Sequence, residues 1–303
     1  MPLVATDAGQ ITRMDARSLA AFRQLELLAH TVVEGMVTGL HTSPFKGFAI
    51  EFDEHRPYVA GDDLKHLDWK ILARKDRMYI KQYEEDTSMR AHFVLDTSGS
   101  MGYRSAKYSK LDIGRVIVGT MSYLLLNQMD AVGLTTCSEK TDLYLPPRST
   151  RKHYKRLMDA MEALRPREGT HLGETLHELA LRIKRRALVV IISDCFDDPD
   201  QIRLALNHFA HRRHEVILFH VLDRRELTFE FDGPTRFDDL EAEGHRELDP
   251  RPLRKAYLKA FEAHRDILRR TCHERRIDYE LILTDEPIER RLARYLVERL
   301  KRK

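Results

Sequence analysis

The sequence predicts an α/β protein built on a doubly wound, mostly parallel sheet flanked by helices. Three observations carry this. From about residue 90 onwards, short apolar runs alternate with stretches of helical periodicity. The runs AHFVLD (91–96) and ALVVIISD (187–194) are apolar at successive positions, which marks strands covered on both faces. The stretches between them are long enough for the helical crossovers that parallel strands need. Right-handed crossovers and a doubly wound strand order follow as the expected topology.

Taken in order, residues 16–37 place Leu19, Phe22, Leu25, Val32, Val33 and Met36 at near-helical spacing, so an amphipathic helix opens the chain. A turn-rich segment follows around a short strand-like piece, Phe48–Phe52, and ends on Pro57 and the turn Ala60-Gly61-Asp62-Asp63. After AHFVLD, residues 110–129 (KLDIGRVIVGTMSYLLLNQM) are apolar on nearly all sides and predict a central, covered helix. AVGLTTC and DLYLP read as the next two strands. Tyr154, Leu157, Met161 and Leu164, then Leu172, Leu176, Leu179 and Ile183, mark two helices at three-and-four spacing. ALVVIISD is the next strand, followed by a helix over 201–212 and a strand over 215–222. The segment ELTFEFDGPTRFDDLEAEGHREL (226–248) breaks the rhythm, and its Asp232-Gly233-Pro234 turn predicts an inserted hairpin at about 225–250. A long helix from about Arg251, the strand IDYELILT and a basic terminal helix close the chain. Residues 1–88 thus form an N-terminal helical region that contributes to a small accessory β unit, and residues 89–303 form the main domain. The hairpin insert and the piece around Phe48 are expected to pair in that unit.

Bulk properties narrow the function. The 303 residues are 42% hydrophobic and 33% charged, a globular composition with room for a large core. A formal charge of +3 against 51 basic and 48 acidic residues gives no support for a nucleic-acid partner. The basic stretches RIKRR (182–186) and ERLKRK (298–303) read as solvated helix ends that suit the helix dipole. Cys137, Cys195 and Cys272 are scattered and odd in number, which is neither a disulfide framework nor a zinc site and points to a reducing cytoplasm. The N-terminus lacks the apolar core of a signal peptide, and the most apolar stretch, 116–126, is too short to span a bilayer.

The candidate chemistry lies at strand ends. Open α/β sheets bind ligands beyond the carboxyl ends of their strands, where the strand order reverses. Asp96 and Asp194 each end an apolar strand, and Ser98 and Ser100 follow Asp96 in a loop that can turn both hydroxyls back towards the carboxylate. Thr170, in the polar loop Arg167-Glu168-Gly169-Thr170-His171, offers a further hydroxyl. Oxygen donors of this kind suit a hard cation such as Mg²⁺, or Mn²⁺ or Ca²⁺, and leave a position for an outside oxygen. The plainer alternative is that Ser98 and Thr170 cap helices and that Asp194, Asp197 and Asp198 form a solvated acidic loop. No GxxxxGK[ST], GxSxG or HExxH is present, and the position two after Asp96 is Ser98 where an aspartyl-phosphate enzyme has a second Asp.

The set Asp96-x-Ser98-x-Ser100, with Thr170 after Gly169 and Asp194 ending a later strand, resembles the metal-ion-dependent adhesion site of von Willebrand factor A-type domains. Upstream, Gly39-x-His41-x-Ser43, Glu51-Phe52, Arg56-x-Tyr58, Gly61-Asp62-Asp63, Asp68-Trp69-Lys70, Ala73-Arg74 and KQYEE (81–85) run directly into that strand end. Together they resemble the bacterial domain-of-unknown-function family 58 over nearly the whole chain, in its short form without N-terminal membrane helices. The resemblance implies a von Willebrand factor A-like fold and a divalent cation held by Asp96, Ser98, Ser100, Thr170 and Asp194. It also implies a partner carboxylate that completes the shell, and work as an adaptor beside a MoxR-type AAA+ ATPase in chaperone-like assembly. The residues alone leave Gly61–Arg74 open between a structural role and a partner surface. They also leave a second function open, a metal-dependent phosphoester hydrolase with Asp197, Asp198, His171 or Glu168 as base and Arg148 or Arg151 on phosphate.

Overall fold

The computed structural model describes residues 52–57, 79–83, 89–138, 141–167, 169, 171–231, 233, 235–238 and 245–302. The N-terminal helix expected over 16–37, the Gly61–Arg74 motif and Thr170 lie outside them. Strands β1 (Phe52–Pro57) and β2 (Tyr79–Tyr83) form an antiparallel pair. The main domain follows as β3 (Arg90–Asp96), α1 (Lys110–Asn127), β4 (Ala131–Cys137), β5 (Thr141–Arg148), α2 (Arg151–Ala163) and α3 (Leu172–Arg182). It continues with β6 (Leu188–Ser193), α4 (Pro199–His211), β7 (Glu215–Leu222), α5 (Arg224–Thr228), β8 (Thr235–Asp238) and β9 (His245–Leu248). The last elements are α6 (Arg254–Glu274), β10 (Asp278–Leu283) and α7 (Ile288–Arg302).

Six strands make one sheet in the order β10-β7-β6-β3-β4-β5, parallel except for β5, which runs antiparallel to β4 at the edge. The order reverses between β3 and β6: the chain leaves β3 towards β4 and later returns to β6 on the other side. This is the doubly wound arrangement with its switch point at the carboxyl ends of β3 and β6. Strand alternation divides the core in two. Phe93, Leu95, Val190, Ile192, Ile217 and Phe219 pack with α1, α2 and α7 on one face. Val94, Val189, Ile191, Val216 and Leu218 pack with α3, α4 and α6 on the other. Both faces of the central strands are therefore dry, which is why their sequences are apolar throughout.

Helix α1 is buried along most of its length, as its all-round apolar sequence predicts, and at Gly114 an added Cβ would come within 2.5 Å of Leu95 Cδ1. At the periphery, strands β8 and β9 pair with each other and β1 pairs with β2, in separate two-stranded sheets; the piece around Phe48 expected to meet the insert lies, up to residue 51, outside the described residues. The hairpin turns between 238 and 245, after the Asp232-Gly233-Pro234 segment and not at it. The strand-like ELTFEF run begins as helix α5 because Asp223 and Glu226 form a capping box that closes its first turn. Among the described residues, no helix is long and apolar enough to cross a membrane. All three cysteines are buried and unpaired.

Candidate functional site

The parallel register of β3 with β6 sets Leu95 opposite Ile192, so the two strands deliver Asp96 and the Ser193-Asp194 pair to adjacent points at the switch. Asp96 is 2% exposed and Asp194 is fully buried. The Ser98 N–H donates to Asp96 Oδ1 at 2.9 Å, and the Ser193 hydroxyl donates to Oδ2 at 2.6 Å. Beyond Asp96 the chain tightens into a short 3₁₀ turn, Gly99–Gly102. That turn brings the Ser98 and Ser100 hydroxyls to 3.1 Å of each other. The Ser98 side chain makes no capping bond to the turn that follows it, so the helix-cap reading does not account for this serine.

The loop that carries Thr170 is anchored on both sides. The Arg167 N–H donates to the Thr97 carbonyl at 2.8 Å, and the His171 N–H donates to the Ser138 carbonyl at 3.1 Å. Gly169 has φ +85°, a left-handed backbone that glycine adopts without strain. On the β6 side Cys195, next to Asp194, is left-handed with φ +56°. A non-glycine residue in this region is costly and tends to mark a functional turn. The turn is held by Cys195 N–H to Ser193 Oγ at 2.8 Å and by His264 Nε2 to the Cys195 carbonyl at 2.9 Å.

Asp194 is not free to serve Asp96's side alone. Its Oδ2 accepts from Lys110 Nζ at 2.6 Å and its Oδ1 from the Phe196 N–H at 3.2 Å. Lys110 is itself fully buried and also reaches Glu226 Oε1 at 2.6 Å. Burial works against the charge on Lys110, but the Asp194 and Glu226 carboxylates outweigh it and hold its pKa above the usual lysine range. Asp96 goes the other way from an ordinary carboxyl: burial, reinforced by the Asp194 charge, pushes it up to about 7 despite the bonds from Ser193 and Ser98. Beneath the site, His220 Nε2 donates to the Asp194 carbonyl at 2.8 Å. Its Nδ1 therefore accepts from the Tyr279 hydroxyl at 2.7 Å, which fixes a neutral tautomer.

Lys110, Ser193 and Glu226 are the site residues that sequence reasoning misses. One local signal for Lys110 exists: a cation in the first turn of a helix opposes the helix dipole and needs a reason to be there. The neighbouring acids have plainer employment. Asp198 caps α4 through the Asp200 N–H, and Asp197 accepts from the Gly173 N–H at 3.0 Å, which ties the start of α3 to the β6 loop. Arg148 pairs with Val132 at the start of β4, and Arg151 begins α2 just beyond it, so both lie at the opposite end of the sheet from Asp96. Among the described residues no three His, Cys, Asp or Glu side chains converge as a metal cluster. A cation here would rest on hydroxyl as well as carboxylate oxygens.

The fold and the switch-point residues define a doubly wound α/β domain whose ligand edge gathers carboxylate and hydroxyl oxygens. Residues 54–267 match the family described as proteins of unknown function DUF58, and the chain belongs to that family. The uncharacterized protein Rv1480 of Mycobacterium tuberculosis is 28% identical over 261 residues, which cover 85% of this chain and 82% of the relative. The uncharacterized protein Mb1516 of Mycobacterium bovis matches to the same extent, 28% over 261 residues. Among solved structures, the conserved hypothetical protein BatB from Bacteroides thetaiotaomicron has a TM-score of 0.48 at 13% identity, over 71% of this chain and 100% of that one. The SpRpn10 VWA domain has a TM-score of 0.35 at 15% identity, over 45% of this chain and 76% of that one.

Proposed function

We infer that the protein is a non-enzymatic binding module that grips a protein partner through a divalent cation at the switch point. The observation that carries this is the oxygen cluster itself: the Ser98 and Ser100 hydroxyls, 3.1 Å apart, stand beside a buried Asp96 that faces the like charge of Asp194. A buried carboxylate pushed up by a like charge is what a cation relieves. The donors fit a hard ion such as Mg²⁺, Mn²⁺ or Ca²⁺, with Asp96, Ser98 and Ser100 holding it, and with Thr170 and Asp194 as the further contributors that the family resemblance implies. Bound there, the cation supplies a Lewis-acidic anchor for an Asp or Glu carboxylate of the partner. The chain's own residues fix the anchor's place: Ser193 and the Ser98 N–H orient Asp96, and Lys110 holds Asp194.

The hydrolase alternative finds less support. Of the side chains it needs, Asp198 is committed to capping, Asp197 to the Gly173 N–H, and Arg148 stands at the far end of the sheet. Membership of the family supports a MoxR-type AAA+ ATPase as the partner class, with the protein as its adaptor in assembly or maturation.

Pull-down of a MoxR-type ATPase from the same organism, in Mg²⁺ and in EDTA, tests the mechanism. Capture is expected in Mg²⁺ and lost in EDTA or with D96A. Capture that neither the chelator nor D96A changes would sink it.

A further inference from the structure

Lys110 is placed against two physical preferences. It opens α1, where the helix dipole disfavours a cation, and its side chain is fully buried. Its ammonium is held on several sides: Asp194 Oδ2 and Glu226 Oε1 each at 2.6 Å, with the Phe196 ring centroid at 4.8 Å and that of Tyr103 at 5.9 Å. The Glu226 carboxylate is fixed in turn. Its Oε2 accepts from the Asp223 N–H at 2.8 Å, and the Tyr257 hydroxyl donates to the Glu226 carbonyl at 2.9 Å. Asp223 is pinned by the Ser105 N–H at 2.9 Å and by the Thr284 hydroxyl at 3.0 Å. A rigid frame therefore aims a single positive charge at one of the two strand-end carboxylates and leaves the other without it.

We propose that Lys110 is a charge-setting positioning residue of the cation site. Its ammonium compensates Asp194, so a divalent cation on the Asp96–Ser98–Ser100 side keeps unneutralised positive charge and takes up an external carboxylate. The inference rests on the cation reading given above. Asp96 is then the one anionic donor without a cation of its own, and a doubly charged ion facing it retains about one unit of charge. Without Lys110, Asp194 brings its full negative charge to the ion, which binds more tightly and draws a partner's carboxylate less. Glu226 acts in the opposite sense. It shares the ammonium, so removing its charge gives Lys110 wholly to Asp194 and weakens the cation further.

Calorimetric titration of the full chain with Mn²⁺ alone tests this through the order of affinities. K110M is expected to bind about tenfold tighter than wild type or better, the order set by removing a unit charge near the ion. E226Q is expected to bind severalfold weaker, and adding D96A abolishes binding in each background. A merely structural role for the pair moves both variants in the same direction. Binding that is D96A-sensitive but equal or weaker in K110M overturns the inference and leaves the cation reading standing. Should K110M fail to fold, E226Q decides alone: unchanged or tighter binding overturns it. No D96A-sensitive binding in wild type or in either variant overturns the cation reading and this inference together.

Discussion

Asp96 illustrates a side chain kept at a cost to the fold. Its carboxyl has two good donors, the Ser98 N–H and the Ser193 hydroxyl, yet burial and Asp194 push it from 3.8 up to about 7. Between those two pH values the metal-free folded protein holds a proton that the unfolded chain has already released. Stability from this group is therefore present at low pH and lost as pH rises through the window to about 7. In EDTA, D96N is expected to melt above wild type at pH 8 and to converge with it near pH 4. Added Mg²⁺ is expected to raise the wild-type melting temperature at pH 8 and to leave D96N unmoved. Melting curves over that range check both statements, and a wild type that outmelts D96N at pH 8 in EDTA would mean that Asp96 already has a compensating partner. Residues that lower stability yet organise a site are where function is expected to lie.

At the scale of elements, what the sequence makes legible and what it hides have separate physical causes. The strands over 91–96, 188–193 and 215–222 are legible because both faces of a central parallel strand are dry, so burial is written at every position. Asp96 and Asp194 are legible for the same reason, as carboxylates that end such runs. Thr170, a candidate through its polar loop and the family resemblance, lies outside the described residues. The hairpin is legible as an interruption but not in its register. Asp232-Gly233-Pro234 has good turn chemistry, and Gly233 does take φ +79°, yet the strands pair beyond it. Helix α5 is hidden behind the strand-like ELTFEF run, although Asp223 and Glu226 stand at capping-box spacing. Lys110 is hidden because its partners are 84 and 116 residues away and no local period encodes them. Close approach of elements is hidden too. At Gly173, which starts α3 beside the Thr170 loop, a Cβ would meet Gln201 Cβ at 2.6 Å and the Gln201 carbonyl carbon at 3.0 Å. Because backbone must move, G173A is expected to cost about 1–3 kcal/mol in urea melts. A neutral G173A would show that α3 and α4 slide apart freely.

For the whole molecule, the sheet and the helices packed on it carry histidines that folding keeps neutral. His92, His153, His214 and His220 are all buried. Burial lowers each of them, to about 4 for His92, where His214 and Arg90 add to the effect, and to about 3 for His220. Their hydrogen bonds agree with neutral rings: His153 Nε2 donates to the Val132 carbonyl at 2.8 Å, and the Ala187 N–H donates to His214 Nδ1 at 3.2 Å. An unfolded histidine takes a proton near 6.5, so below that pH the unfolded chain binds more protons than the fold and stability falls as pH drops. His92 and His220 alone give an uptake of roughly two protons on unfolding near pH 5. Asp96 opposes this with about one proton over much the same range, so the histidines set the sign. Urea melts between pH 4.5 and 7 are therefore expected to show stability climbing towards neutrality. H92Q is expected to flatten that slope by about one proton, which a merely destabilising change at this position would not do. A slope unchanged in H92Q would mean that His92 takes up its proton within the folded sheet, and that the dry interior between β4 and β6 opens to water at acid pH.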